Sequence, residues 1–348
     1  MKTKILFFNN RFPSEQYPKV AAYAKTLTEM LMQMGFQVDL CVNYASFSKL
    51  KAYVSFYIRL CLVRLRNYQV LYINHYTSLI PLIIRLILRK NLRTIFHWHG
   101  EELINDSLIF RAIRFCMKYS FSENSYHISP SVYYKKVIRD KLGVPDSRIF
   151  VSPSGGVDLR FFPLEVHDNQ QFHIGFPAAL TEHKGVRLLY DLLEQKDKLE
   201  ERIGKLIHFH LIRYGDEMEK MEYLVKAKYS DFVTIHDMYM HKDIHKFYAQ
   251  THITLFLSKR ESLGLTVLES MASGVPVIAR NHTSMPELVI PKVTGELVSK
   301  EPTTEEILNA IQRIHANLLQ YKTRDFVEKK YSFEQVQKEM KDFITGIL

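Results

Sequence analysis

Residues 258–287 read SKRESLGLTVLESMASGVPVIARNHTSMPE, and their pattern predicts the architecture of the second half of the chain. Just before it, the apolar run at 253–257 predicts a short buried strand. A helix is predicted from about Gly264 to Ser273, because Gly274 and Pro276 follow where glycine and proline commonly end helices. Residues 275–279 then predict a second strand. The order strand, loop, helix, strand is typical of a parallel α/β sheet.

The loop at 258–263 leads directly into the start of this helix. A helix start offers unpaired backbone N–H groups and a partial positive charge, so it can bind a phosphate. Lys259 and Arg260 place two full positive charges beside it. We therefore predict a nucleotide-phosphate site formed by Lys259, Arg260, Ser262, Leu263, Gly264, Leu265 and Thr266.

Two glutamates bracket the predicted helix start, Glu261 in the loop and Glu269 in the helix. Glu269 is expected at the edge of an apolar arc. A carboxylate there can accept hydrogen bonds from hydroxyls that lie against the helix, such as those of a ribose. The alternative is that Glu269 begins the solvated face and Glu261 only complements the helix dipole. The arc itself is expected to consist of Leu265, Leu268, Met271 and Ala272.

The stretch resembles the E-x7-E signature of the retaining glycosyltransferases of family four. The matching segments are SKRESLG at 258–264, ESMASGVPVIA at 269–279, PE at 286–287 and GELV at 295–298. The resemblance implies that Glu261 contacts the donor sugar and that Glu269 binds the nucleotide ribose. The chain departs from the family pattern at Ser262 and Leu263, which replace Gly-Phe, and at residues 283–284, where Thr-Ser replaces Gly-Gly.

The motif HWHG at 97–100 resembles the family's strand that ends in His-Gly. The resemblance implies that His99 lies against the donor sugar as a catalytic group, with His97 facing the same side in support. Trp98 is expected to point the other way, into packing. The alternative is a structural histidine beside a loop glycine. Arg11, after the first strand, is a candidate to meet a phosphate or an acidic acceptor, or is simply an exposed loop arginine.

Residues 178–185, AALTEHKG, resemble the family's G-R-L-x-x-x-K-G motif, whose arginine and lysine bind the diphosphate. Lys184 is retained, and the resemblance implies that it binds the donor phosphates and stabilises the charge of the leaving group. Ala179 stands where the arginine would be. Either Lys184, Lys259 and the helix start suffice, or Arg213 or Arg260 supplies the missing cation.

Length and composition are those of a two-domain globular protein. A chain of 348 residues exceeds the length at which a single core usually stops growing, and its 47% hydrophobic and 24% charged residues are ordinary. Cys41, Cys61 and Cys116 lie far apart, which favours a reducing cytosol and inert buried thiols. The first apolar run ends at residue 8, so no signal peptide is expected, and no run is long enough for a transmembrane helix.

The positive charge is concentrated in the first half. Residues 1–165 contain 23 Lys and Arg against 11 Asp and Glu (+12), whereas the remainder has 24 against 26 (−2). The cations are set among large apolar residues in predicted helices at 49–66, 84–90 and 108–118, a pattern typical of helices in a membrane interface. The alternative is a core helix with a basic outer face. No nucleic-acid-binding motif accompanies the charge, so nucleic acid is not an expected partner.

Strands and helices alternate along the chain, which predicts parallel, doubly wound sheets with ligands at the C-terminal ends of the strands. Together with the resemblance, this predicts an α/β protein of the GT-B fold, with two Rossmann-like domains facing across a cleft. We place the N-terminal, acceptor-side domain at 1–165 and the nucleotide-sugar-binding domain at 166–330. The last helix, at about 331–348, is expected to pack back on the first domain.

The expected function is transfer of a sugar from a UDP- or GDP-sugar to a glycan or lipid-linked acceptor, with retention of configuration. No cofactor is expected, and no metal, because no D-x-D motif with supporting ligands is found. The basic first half favours a cytoplasmic enzyme, peripheral on the inner face of an anionic membrane. Two alternatives stay open: a nucleotide-sugar 2-epimerase of the same fold, and a non-catalytic relative that binds glycan or membrane.

Overall fold

The computed structural model describes residues 2–17, 20–74, 80–153, 155–164 and 170–348. It divides into two compact units: unit 1 is Met1–Gly155 with Val336–Leu348, and unit 2 is Gly156–Gln335. This boundary lies earlier than the predicted 165/166, because the chain already packs within unit 2 after Gly156. The Val157 amide donates a 2.8 Å hydrogen bond to the carbonyl of Tyr331, and Phe162 is buried in an apolar core of unit 2.

Unit 1 contains a six-stranded parallel sheet in the order β2-β1-β3-β4-β5-β6 among the described residues. Its strands are β1 (Lys4–Phe12), β2 (Gln37–Tyr44), β3 (Val70–Asn74), β4 (Arg93–His97), β5 (Ser125–Ser129) and β6 (Ile149–Val151). Its helices are α1 (Ala22–Gln33), α2 (Lys49–Leu62), α3 (Ile80–Ile87), α4 (Glu101–Ile104), α5 (Leu108–Ser120) and α6 (Val132–Leu142), with 3₁₀ turns at Leu65–Asn67 and Asp146–Arg148.

Unit 2 contains a second six-stranded parallel sheet, in the order β12-β11-β10-β7-β8-β9 among the described residues. Its strands are β7 (Gln171–Phe176), β8 (Leu206–Ile212), β9 (Val233–His236), β10 (Ile253–Phe256), β11 (Val277–Arg280) and β12 (Gly295–Val298). The helices are α7 (Val186–Glu194), α8 (Lys196–Ile203), α9 (Met218–Leu224), α10 (His245–Tyr248), α11 (Leu265–Ala272), α12 (Met285–Leu288), α13 (Thr304–Ala316) and α14 (Thr323–Lys330). Helix α15 (Phe333–Gly346) begins in unit 2 and continues into unit 1. Short 3₁₀ turns lie at Leu159–Phe161, Glu182–Lys184, His241–Asp243 and Leu318–Gln320, and a π-helical turn lies at Val225–Tyr229.

The predicted α/β class with two doubly wound parallel sheets is confirmed. In both units helices connect parallel strands, and central strands such as β3 and β10 are buried along their whole length. The predicted helix at 49–66 ends already at Leu62. The sequence also predicts helices at 19–34 and 78–89 and a linker at 163–171, and parts of all three lie outside the described residues. The last helix, α15, ends in unit 1, where Phe343 stacks on Phe150 with ring centroids 4.6 Å apart.

The three cysteines differ in their exposure. Cys41 is buried as predicted, but Cys61 and Cys116 are exposed, because they lie on the outward sides of α2 and α5. No helix within the described ranges is long and apolar enough to cross a membrane.

Candidate active site

The loop after β10 turns into α11 as the sequence predicts. Gly264 makes this turn with φ of 101°, a left-handed conformation that favours glycine, and a Cβ atom there would lie 2.6 Å from Met285 Cε. Helix α11 ends before Gly274, whose φ is 83°. The predicted order of strand, loop, helix and strand around residues 253–280 is therefore confirmed.

Lys184 and Glu261 meet beside this helix start. The Lys184 Nζ atom is 2.5 Å from Oε1 of Glu261, and the two side chains are 30% and 21% exposed. The pair forms because the 3₁₀ turn at Glu182–Lys184 lies against the loop: the Lys259 amide donates to the His183 carbonyl at 2.9 Å. Two motifs far apart in sequence are thus brought into one site.

Gly185 explains why these two segments approach so closely. Its φ is 88°, and a Cβ atom at this position would lie 2.5 Å from the backbone oxygen of Leu257. A side chain would therefore push the lysine turn away from the end of β10. The glycine of the Lys-Gly motif is required by backbone contact, whereas the lysine supplies charge.

Thr283 and Ser284, where the resembling family has two glycines, hold the loop with their hydroxyls. Thr283 has φ of 50°, in the left-handed region that glycine adopts more easily, and its Oγ1 accepts from the Glu261 amide at 3.2 Å. The buried Ser284 hydroxyl lies 2.9 Å from the carbonyl of Leu263, to which it donates. The backbone geometry is kept, and polar side chains add contacts to it.

Glu269 is buried, with an exposed fraction of 6%, and does not begin a solvated face. The Tyr248 hydroxyl lies 3.4 Å from Glu269 Oε2 and donates at 3.1 Å to the carbonyl of Thr266. Burial and the carboxylate raise the pKa of Tyr248 well above its usual value. The alternative that Glu269 only starts a solvated surface is therefore wrong. The predicted apolar arc was wrong at Leu265, which is exposed, because α11 turns Val267, Leu268, Met271 and Ala272 inward.

The other predicted residues of this site surround the same loop. Lys259 is exposed, Arg260, Ser262 and Thr266 are half-buried, and Leu263 and Gly264 are buried. Of the two candidates for the missing arginine, Arg213 is already paired with the carboxylates of Glu222 and Asp237. Arg260 lies in the loop itself, and its carbonyl oxygen is 3.2 Å from His183 Nε2. Both arginines therefore stay candidates for the missing cation.

In unit 1, His99 lies two residues beyond β4 in a polar cluster. Its Nε2–H donates to Asn74 Oδ1 at 2.6 Å, and its backbone N–H donates to Glu102 Oε1 at 2.7 Å. Its ring stacks on His97 at 4.8 Å and meets Tyr23 edge-on at 5.3 Å. Because three partners orient this ring, it is held in one position.

His97 and Trp98 support the same strand end. His97 is buried, with its Nδ1 atom 2.8 Å from the hydroxyl of Tyr72. Trp98 is buried too, and its Nε1–H donates to His127 Nδ1 at 3.0 Å. Burial lowers the pKa of His127 to about 3, so this histidine accepts the bond as a neutral ring. Trp98 thus packs in the core, as predicted.

Two residues of this cluster, Asn74 and Glu102, were not among the predicted site residues. Asn9, Asn74 and His97 lie in register across β1, β3 and β4, and all three are buried. The signal in the sequence was an asparagine directly after an apolar strand, at residues 9 and 74. Burial raises the pKa of Glu102 to about 7, well above the usual range of a carboxyl.

Within the described residues, no cluster of three or more His, Cys, Asp or Glu side chains is arranged to hold a metal ion. His99 belongs to unit 1, whereas Lys184, Glu261 and Glu269 belong to unit 2.

The fold is that of the GT-B glycosyltransferases. Sucrose-phosphate synthase from Thermosynechococcus elongatus superposes with a TM-score of 0.74 at 18% identity, over 99% of both chains. Anabaena HepE, solved in complex with UDP and glucose, superposes with a TM-score of 0.70 at 16% identity, over 99% of this chain and 100% of HepE. At this identity the similarity shows the fold alone.

Residues 160–332 match the family described as "Glycosyl transferases group 1", and through this region the chain belongs to that family. The amylovoran biosynthesis glycosyltransferase AmsK of Erwinia amylovora is 26% identical over 168 residues, which is 45% of this chain and 39% of AmsK. The chain aligns with only about two fifths of the length of the curated relatives that it matches.

Proposed function

We propose that this chain is a retaining glycosyltransferase that moves a sugar from a UDP- or GDP-sugar to a glycan or lipid-linked acceptor in surface polysaccharide or glycolipid biosynthesis. The observation that carries the proposal is the Lys184–Glu261 pair, 2.5 Å apart at the start of α11, with the buried Glu269 carboxylate farther along the helix. Membership of the group 1 family and similarity to an amylovoran biosynthesis glycosyltransferase support it.

In this proposal, unit 2 binds the donor. Lys184 has three N–H donors, so it can hold Glu261 and a donor phosphate at once. Lys259, Arg260 and the start of α11 add positive charge where the diphosphate leaves, and stabilising charge as it develops is usually the largest catalytic contribution. Glu269 accepts hydrogen bonds from the ribose hydroxyls, and Glu261 positions the donor sugar.

Retention follows from a front-face route. The bond from the anomeric carbon to the diphosphate breaks, and the acceptor oxygen forms a new bond on the same face. The departing phosphate oxygen takes the proton of the acceptor hydroxyl, so no protein nucleophile is required. From unit 1 we propose His99, held by Asn74 and Glu102, as a catalytic group. We propose that this route needs neither a metal nor a cofactor.

Thermal shift with a panel of nucleotide sugars, followed by turnover with isolated glycan acceptors, tests the proposal. We expect UDP- or GDP-sugars to stabilise the protein and Lys184→Met to abolish this effect. Lys198→Met is the matched control, since Lys198 is also a unit 2 lysine paired with a glutamate, Glu305, at 2.8 Å. Conversion of the sugar nucleotide without an acceptor would indicate an epimerase instead. Absence of any stabilisation by nucleotide sugars would indicate a non-catalytic relative.

We further propose that the enzyme works in the cytoplasm, at an anionic membrane surface on its inner face. Along α2, Leu50, Val54, Ile58 and Leu62 are between 52% and 76% exposed, at a spacing of four residues that forms one stripe. Lys49 and Lys51 of α2 are exposed too. On α5 the exposed residues include Leu108, Ile109, Phe115, Arg111 and Lys118. Apolar side chains flanked by cations are suited to an anionic lipid interface.

Three arginines of these helices do not contribute to this surface. Arg59 donates to the carbonyl of Val42 at 2.9 Å, and Arg85 donates to that of Leu60 at 2.6 Å. Arg114 is buried and donates to the carbonyl of Asn105, also at 2.6 Å. The sequence predicts these three arginines among the cations of the membrane interface. In the structure they instead donate hydrogen bonds to backbone carbonyls within unit 1.

Co-sedimentation with liposomes tests the location. Each Lys or Arg near an anionic surface contributes about 1 kcal/mol, so binding should rise with the fraction of anionic lipid and fall toward about 0.5 M salt. Ile58→Gln with Leu62→Gln should weaken binding without unfolding the protein, because both side chains are exposed. Protein that stays in the supernatant with anionic vesicles at low salt would contradict a membrane location.

A further inference from the structure

A cavity of about 620 Å³ opens in unit 1 at the C-terminal ends of β1 and β2. Among the described residues that line it, none is acidic. Its walls include four aromatic side chains and two cations: Tyr17, Tyr44, Phe47, Tyr53, Arg11 and Lys49. A pocket of this size and mixed lining is typical of a small-molecule site.

A β-bulge shapes this cavity. Asn9 pairs with Val42 and Phe12 pairs with Tyr44, so two residues of β1, Asn10 and Arg11, lie opposite the single Asn43 of β2. The pairing is closed again beyond the bulge, where the Ala45 amide donates to the Phe12 carbonyl at 2.8 Å. Bulges commonly redirect a side chain beside a functional site, and here the displaced residue Arg11 lines the cavity.

Asn43 provides the second observation. It lines the cavity and is only 6% exposed, and its Oδ1 atom has no hydrogen-bond partner among the described residues. An unsatisfied buried acceptor costs about 1–3 kcal/mol, so it is expected to have a partner in the working protein. A carbonyl oxygen can only accept, so its partner is an O–H or N–H donor, which a water molecule or a ligand hydroxyl can supply.

The chemistry of the remaining walls specifies the rest of the ligand. Arg11 and Lys49, with no acidic neighbour in the lining, favour an anion such as a phosphate. Aromatic rings carry negative faces, on which the weakly positive C–H groups of a pyranose ring can pack. The walls therefore favour a ligand with a hydroxyl donor, an apolar ring face and a negative charge. A sugar phosphate has all three features.

We infer that this pocket binds the phosphate-linked sugar of the acceptor. The inference rests on the proposed transferase function, which it extends by giving the acceptor a chemical class. β1 and β4 are separated by two strand spacings, about 10 Å, so the pocket and His99 share the same edge of the unit 1 sheet. An acceptor held here by its phosphate presents its sugar end along that edge.

Titration calorimetry with glucose 1-phosphate, galactose 1-phosphate and N-acetylglucosamine 1-phosphate tests the inference. We expect at least one to bind about tenfold more tightly than both its methyl glycoside and inorganic phosphate. Arg11→Gln and Lys49→Gln should each weaken that binding about tenfold, and Asn43→Ala about threefold. Lys136→Gln is the matched control, because Lys136 is an exposed lysine of unit 1 outside the lining, and it should leave binding unchanged.

Several results would overturn the inference. One is that none of the three sugar phosphates binds. Another is that inorganic phosphate, or a phosphatidylglycerol vesicle that competes with the sugar phosphate, binds equally well, which would indicate a site for phosphate alone. A third is loss of binding in Lys184→Met but not in Arg11→Gln, which would place the ligand in unit 2. Thermal shift by UDP- and GDP-sugars, recorded on the same variants, reports the transferase proposal separately, so either can fail alone.

Discussion

The two units each contain a helix start that follows a buried parallel strand, and the two starts are built in different ways. In unit 1 the chain enters α4 through Gly100, and in unit 2 it enters α11 through Gly264; both glycines have φ of 101°. Around Gly264 the neighbours are charged, with Lys184 held against Glu261. Around Gly100 they are hydrogen-bonded, with the half-buried His99 donating to the buried Glu102. Similar backbone turns therefore position charged side chains in unit 2 and hydrogen-bonded side chains that orient His99 in unit 1.

The largest expected effect tests the claim that backbone contact builds the unit 2 site. Gly185→Ala should destabilise the protein by about 3 kcal/mol or more, because the new Cβ meets the Leu257 oxygen at a left-handed φ. Gly204→Ala is the control: its φ is 68°, but nothing lies within 4 Å of a Cβ there, so about 1 kcal/mol is expected. Urea unfolding measures both, and equal losses would show that conformation alone, not contact, matters at Gly185.

The next effect concerns Glu102, the buried carboxyl of unit 1. Its pKa in the fold is about 7, against about 4.5 when unfolded, so between these values the folded state binds more protons than the unfolded state. Stability from the neutral carboxyl is fully present below pH 4.5 and is lost as pH rises to 7, by about 3 kcal/mol in total. Glu102→Gln, which keeps an acceptor for the His99 amide, should remove this loss.

The measurement is the melting temperature of wild type and variant between pH 4.5 and 8. The variant should gain on the wild type as pH rises, with the gain complete above pH 7. Glu123→Gln is the control, because Glu123 is an exposed glutamate of unit 1 and its replacement should leave the pH dependence of the wild type in place. A constant difference for Glu102→Gln as well would show that Glu102 is ionised in the fold, and the contrast between the two helix starts would disappear.

The sequence was more informative about unit 2 than about unit 1, for a physical reason. Three glycines of unit 2 adopt left-handed backbone or lie too close to other atoms for a side chain: Gly185, Gly264 and Gly274. Lys184 and Glu261 contribute charge. Residue type and spacing in the sequence reveal both kinds of residue. The His99–Asn74 contact joins the ends of two neighbouring strands, which spacing along one strand does not show. The His99–Glu102 contact is local, three residues along the chain, but the burial of Glu102 depends on packing in the rest of unit 1. For the same reason the burial of Glu269 was missed: Tyr248, which covers it, comes from another helix.

His99 tests whether orientation in unit 1 matters for catalysis. We expect His99→Ala to keep nucleotide affinity and to lower kcat about a hundredfold, within the range for a positioned polar group near the reacting centre. His99→Gln can still donate to Asn74 Oδ1 and should fall between wild type and alanine. Steady-state kinetics with donor and acceptor varied separately measures this. A kcat within a factor of two of wild type in both variants would make His99 a structural residue.

The smallest expected effect concerns Glu269 and whether it binds the ribose. Replacement by alanine would leave a void beside Tyr248, so Glu269→Gln, which keeps the volume, is the cleaner change. A charged acceptor is worth about 1.5–3 kcal/mol and a neutral one about 1, so UDP or GDP affinity should fall about tenfold. Tyr248→Phe removes the neighbouring hydroxyl and should change affinity little.

Calorimetry with UDP and 2′-deoxy-UDP tests the ribose contact directly. The wild type should bind the deoxy nucleotide more weakly than UDP, and Glu269→Gln should show a much smaller difference between the two. If both proteins discriminate equally, the ribose contacts another residue, and the carboxylate of α11 serves only to hold Tyr248.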